Sequence, residues 1–271
     1  MWLSTAVGVL GLLAFVVLVE LVVSVTKPVL TGGVLVVVGA VLALVPAILW
    51  LVVFYVQDRL EPEPKGQVLR IFALGVLLAL AIGLPLRHSL FPMPGGLSPT
   101  REKAVELLRA ILVIGFAQEY LKYAAVRFTV YHSPEFDERV DGIVYGAASA
   151  LGFATALNLD YVIASKGALL GVAVIRITIT ALAQASFTGV MGYFLGRAKF
   201  ENMGRWWLPC GMVLVSILNG VVTFLLGEAS TVGLGYTPFY GLIAAAVLAV
   251  VTFAFLFVAI RRVNAATLAG A

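Results

Sequence analysis

A bundle of about eight membrane-spanning helices is the all-α fold that this sequence predicts. Three observations predict it. The 271 residues are 62% hydrophobic and only 12% charged, with a mean hydropathy of +1.07. Soluble domains of this size do not have that composition. Apolar runs of the ~20 residues that a spanning helix needs recur along the chain, separated by charged and turn-forming clusters. One run, DGIVYGAASALGFATALNLDYV at 141–162, carries a small residue at every fourth position: Gly142, Gly146, Ala150 and Ala154. Hydrophobic burial cannot drive association in lipid, so faces of small residues serve there to bring helix backbones close. This run is therefore the helix against which the others are expected to pack.

In chain order, the first span covers residues 2–25 and ends before Lys27-Pro28. It lacks the basic flank of a signal peptide and reads as a spanning helix. The second covers 34–56, stopped by QDRLEPEPKGQ, and the third 68–86, followed by RHSLFPMPGGLSPTREK. Spans four to eight follow at 104–131, 141–163, 169–195, 207–226 and 240–260. No soluble segment interrupts them, so residues 1–271 read as a single integral-membrane domain. Lys and Arg concentrate in one set of loops, with Arg59, Lys65, Arg70, Arg139, Arg197 and Lys199 among them. By the positive-inside rule that side is cytoplasmic, and an even span count puts both termini there, in a cell membrane. The net charge of +4 is an orientation signal; no nucleic-acid partner is expected, whereas membrane lipids are. Trp206 and Trp207 read as interface anchors, and EPEP at 61–64 as a stiff loop whose acids meet Arg59 or Lys65.

The polar residues inside the spans are few. Glu119 lies mid-span, where a carboxylate costs about 2.5–3.5 kcal/mol on insertion scales, so it needs a partner or water. Lys122 is three residues on, and Gln118 adjoins. Glu119 reads either as an acid–base group or as half of a buried ion pair. Arg176, Thr180, Gln184 and Thr188 form a stripe down the sixth span, Asn219 and Thr223 repeat it on the seventh, and Asn158 and Asp160 close the fifth. Together with Asp141 these predict a common interior seam around Glu119. The two histidines, His88 and His132, fall at span ends or in loops, and Cys210 is the single cysteine. Neither an ordinary zinc site nor a Ser-His-Asp arrangement can be assembled from them, and no metal or other cofactor is expected.

Four stretches resemble the PrsW-type intramembrane proteases, a group related to the CAAX-prenyl endopeptidases. They are DRLEPEPKGQVLRIFALG after the second span, QEYLK at 118–122, the whole 141–162 run, and Arg176 followed by Gln184 and ASFTG. The resembling core covers about residues 58–224. The resemblance implies water activation by a glutamate pair with histidines, for peptide cleavage within the membrane. At those positions this chain departs. Gln118 stands for the first glutamate, Leu157 for the glutamate before the asparagine Asn158, and Gln184 and Asn219 for the two histidines. Glu119, Lys122, Asp141, Gly142, Tyr145, Asn158 and Arg176 match the family pattern. Gln and Asn preserve hydrogen bonding and approximate volume but exchange no protons near neutral pH.

Three functions follow as expectations. The first is a non-catalytic member of the fold that binds another integral membrane protein as an accessory subunit. The second is an active protease using Glu119 as base on a single-span substrate such as an anti-sigma factor. The third is a transporter, disfavoured because no internal repeat or broken helix is evident.

Overall fold

The computed structural model describes residues 2–58, 62–90, 103–167, 170–231 and 238–270. Among these the chain forms eight helical segments and no strand. They are α1 (Trp2–Thr26), α2 (Gly32–Tyr55), α3 (residues 65–90), α4 (residues 103–127), α5 (Asp141–Ala164), α6 (Leu170–Phe200), α7 (Trp207–Thr231) and α8 (Pro238–Gly270). Seven are long and apolar enough to cross a membrane. The eighth, α4, carries Glu106, Arg109, Glu119 and Lys122, too many charges for an apolar span. The expected ends of α6 and α8 fell short, because Arg197, Lys199 and Arg261-Arg262 continue their helices rather than stop them.

α5 is the central helix. Its spanning stretch is 94% buried, against 11% for α1, which turns most of its apolar surface outward to lipid. Small residues cause this. A Cβ at Gly142 would run into the carbonyl oxygen of Gly192, and one at Gly146 into that of Thr188, so α5 and α6 touch backbone to backbone. Ala150 and Ala154 are also fully buried. A second close face was not visible in the four-residue stripe: Gly152 abuts the Phe72 carbonyl while Gly75 of α3 abuts the Ser149 carbonyl. α5 is thus gripped on two sides at backbone distance.

Two helices contain π-helical turns, Ala79–Gly83 in α3 and Ala110–Gly115 in α4. The second lies where α4 crosses α7. There a Gly115 Cβ would meet the Ser216 carbonyl and a Gly220 Cβ the backbone of Ile111. That contact sets Asn219 of α7 beside Gln118 and Glu119 of α4. A widened turn at a functional seam is a recurrent device, and no proline marks it in the sequence.

Candidate functional site

The seam is assembled from α4, α6 and α7. Glu119 is 0% exposed and accepts three hydrogen bonds. Lys122 Nζ donates to Oε1 at 2.5 Å, Asn219 Nδ2 to the same oxygen at 2.8 Å, and Thr188 Oγ1 to Oε2 at 2.9 Å. Lys122, also fully buried, donates to Gln184 Oε1 at 2.5 Å and sits 5.7 Å from the Phe153 ring centroid. Gln184 Nε2 donates to Asn219 Oδ1 at 3.1 Å, and Thr223 Oγ1 adds a second donor to that oxygen at 3.3 Å. Asn219 Nδ2 also reaches Gln118 Oε1 at 3.5 Å. Ser149 of α5 ties the Lys122 carbonyl from the other side at 3.2 Å.

A cleft of ≈ 50 Å³ of free volume runs beside this network, room for a few waters. Gln118, Leu157, Thr180, Gln184 and Thr223 line it, together with Arg87, Asn158, Tyr161 and Arg176. Leu157 presents an aliphatic wall, packed with Ala79, Leu84 and Phe153. Asn158 donates to the Ile177 carbonyl at 3.2 Å, a helix-to-helix tie. Arg176 stacks over Tyr161 at 4.0 Å and donates to the Leu226 carbonyl at 3.0 Å.

The structure therefore gathers Gln118, Glu119, Lys122, Gln184, Thr188, Asn219 and Thr223 into one network, with Thr180 on the cleft beside it. Asn158 and Arg176 reach the cleft but not Glu119. Asp160 turns away to His88 Nε2 at 3.1 Å and to Arg87. The expected seam position of Asp141 is wrong. As the first residue of α5 it meets Glu63 and Asp58, whose carboxylate oxygens and its own lie within 4.8 Å of one another. Eight residues of helix separate Asp141 from Ser149, which is about 12 Å along the axis. Glu63 likewise departs from expectation, since its side chain accepts from the Tyr145 hydroxyl rather than meeting Lys65. Arg59 and Glu61 lie outside the described residues. The sequence reading missed this acidic group because its members are distributed over a loop and two helix ends.

Residues 63–260 match the model of a family described as PrsW family intramembrane metalloprotease, a match that runs past the expected end of the core and into α8. Protease PrsW of Geobacillus kaustophilus is 36% identical over 174 residues, covering 64% of this chain and 72% of that protein. Protease PrsW of Bacillus subtilis is 35% identical over 183 residues, covering 65% and 77%, and that of Clostridioides difficile 29% identical over 179 residues, covering 63% and 71%. No solved structure matches the chain. The family description implies a metal ion, and the seam does not suit one. Its single carboxylate is held by an ammonium 2.5 Å away, its other polar groups are amides and hydroxyls, and both histidines lie elsewhere, bonded to Asp160 and Arg127. The sequence nonetheless matches the family model over residues 63–260, and on that extent this chain, an integral membrane protein, belongs to the PrsW family.

Proposed function

We propose that this chain engages a membrane-spanning segment of another protein without hydrolysing it. One observation carries the reading. The only carboxylate in the seam among the described residues, Glu119, is fully buried and neutralised by Lys122, with amides at the positions where an acid–base partner would stand. Peptide hydrolysis needs a proton taken from water and one given to the leaving amine, two roles normally split between two titrating groups. Amides do neither near neutral pH. The cleft beside the seam, apolar at Leu157, Ala183 and Val222 and polar at Thr180 and Asn158, suits a single polar side chain projecting from a neighbouring helix rather than the helix itself.

The test is co-reconstitution of the full chain with a single-span reporter whose cleavage is read on a gel. A photo-crosslinker placed at Thr180 reports capture. Capture without cleavage is the expected result. Cleavage by the unaltered chain, lost in Glu119→Gln, overturns the proposal. That outcome would establish the second reading, a one-carboxylate protease, which the names of the relatives favour. The excess of Lys and Arg on one set of loops supports cytoplasmic termini in a cell membrane.

A further inference from the structure

Outside the seam, the most unusual chemistry lies where the segment after α2 meets the start of α5. Asp58, Glu63 and Asp141 are 3%, 3% and 1% exposed. Each of two carboxylates is held by one oxygen. Glu63 Oε2 accepts from the Tyr145 hydroxyl, and Asp141 Oδ2 accepts from the Glu138 amide at 2.5 Å. The Glu63 amide donates to Asp58 Oδ2 at 3.2 Å, and Tyr55 Oη donates to the Glu63 carbonyl at 2.9 Å, fixing the segment. The remaining oxygens, Glu63 Oε1 and Asp141 Oδ1, are buried and receive no backbone, hydroxyl or cationic donor, and the two carboxyl groups lie within hydrogen-bonding reach of each other. A buried carboxylate oxygen without a donor is costly, and two facing oxygens in one acidic group form a locus that a bound cation would satisfy. Lys199, within Coulombic reach of both acids, spends its ammonium on the carbonyls of Tyr131, at 2.8 Å, and Phe136. Arg139 is taken by Glu201 at 3.1 Å.

We propose that Asp58, Glu63 and Asp141 bind one hard divalent cation of the Mg2+, Mn2+ or Ca2+ class through their carboxylate oxygens. The spacing fits. Opposite ligands of such an ion stand about 4–5 Å apart, twice a metal–oxygen bond of about 2.0–2.6 Å, and the three oxygens lie within 4.8 Å of one another. An all-oxygen set, without imidazole or thiolate, selects hard cations over zinc. Tyr145 is the positioning residue, since its hydroxyl holds one Glu63 oxygen and leaves the other facing the group. The bound ion clamps the segment before α3 onto the first turn of α5, about two helical turns from the point where Ser149 ties Lys122. The site is separate from the seam and independent of whether the seam hydrolyses anything.

The probe is Mn2+, titrated into the EDTA-stripped, detergent-solubilised full chain and followed by the EPR signal of free Mn2+ and by thermal unfolding. The expected result is one saturable Mn2+ per chain, displaced by excess Mg2+ or Ca2+, with a higher unfolding midpoint. Glu63→Gln and Asp141→Asn should each weaken binding at least about tenfold, as loss of a ligand does. Glu201→Gln, outside the group, should leave it unchanged. No saturable binding by the unaltered chain, or equal binding by the two carboxamide variants, overturns the proposal. Should both variants fail to fold, Tyr145→Phe must lower the affinity, and an unchanged affinity there overturns it as well.

Discussion

Removal of Lys122 tests the seam most directly. Lys122→Met preserves the length and volume of the side chain while deleting the charge that faces Glu119 at 2.5 Å. Both partners are fully buried, so no solvent replaces the lost interaction. Breaking a buried pair from one side costs about 3–5 kcal/mol, because the surviving charge is left without compensation. Glu119→Gln strands the ammonium instead and should cost a comparable amount. The double variant leaves a neutral network of similar shape, in which the introduced amide accepts from Asn219 through its oxygen and donates its NH2 to the Thr188 hydroxyl oxygen. It should lie within about 1 kcal/mol of the parent, since replacing a buried pair by neutral groups is often close to neutral. The double-mutant cycle therefore predicts a coupling of about 5 kcal/mol or more. Unfolding of the purified chain in mixed micelles with rising SDS, followed by tryptophan fluorescence, supplies the four free energies. Additive single costs, or a Lys122→Met cost below about 1 kcal/mol, would refute the reasoning. Glu119 would then be hydrated and free to act as a base.

The remaining predictions concern packing and the acidic group. Gly75→Val should cost about 1–3 kcal/mol by the same assay, because its Cβ must displace the Ser149 carbonyl. Gly33→Ala, with nothing within 4 Å of the new Cβ, should be neutral or stabilising by about 0.5–1 kcal/mol. Burial, partly opposed by the Tyr145 hydrogen bond and reinforced by Asp58, pushes the Glu63 carboxyl from its usual 4.5 up to about 8. A raised folded-state value means that the folded chain holds the proton more tightly. The stability this contributes is full below about pH 4.5 and is lost as pH rises through about 8, so the unfolding midpoint in EDTA should fall between about pH 4.5 and 8. A flat midpoint would contradict this. Tyr145→Phe should cost about 1.5–3 kcal/mol above that range, where its hydroxyl serves an ionised carboxylate, and less below it.

The helices were legible because their signal is long. Runs of ~20 apolar residues survive any local irregularity, and the Gly142–Gly146–Ala150–Ala154 stripe identified the central helix. What escaped was set by partners rather than by period. Gly152 lies off that stripe and the backbone it admits belongs to α3, and the π turns carry no residue signature. In the seam, Glu119, Lys122, Gln184, Thr188 and Asn219 could be named from polarity within apolar runs. Asp141 was misassigned for the converse reason. At a helix end, membership of a span says nothing about depth, and its partners Asp58 and Glu63 lie more than 75 residues away along the chain. Nothing in a single sequence joins residues so far apart.

The polarity of the seam amides follows from the two charged groups alone. Lys122 has only donors and Glu119, ionised, only acceptors. Gln184 must therefore face Lys122 with its oxygen, which turns its amide nitrogen toward Asn219. Asn219 must then accept with its oxygen and offer its nitrogen to Glu119, which closes the ring. Each amide is at once an acceptor on one side and a donor on the other, and neither changes with pH. An imidazole at position 184 could play the same part only while neutral. On protonation both ring nitrogens become donors, and the one facing Lys122 would set two cations against each other. A catalytic seam requires such a switch, because the proton must come and go. The amides of this ring supply none, which is the feature that the proposed non-catalytic reading rests on, and they leave Lys122 as the titratable group in contact with Glu119.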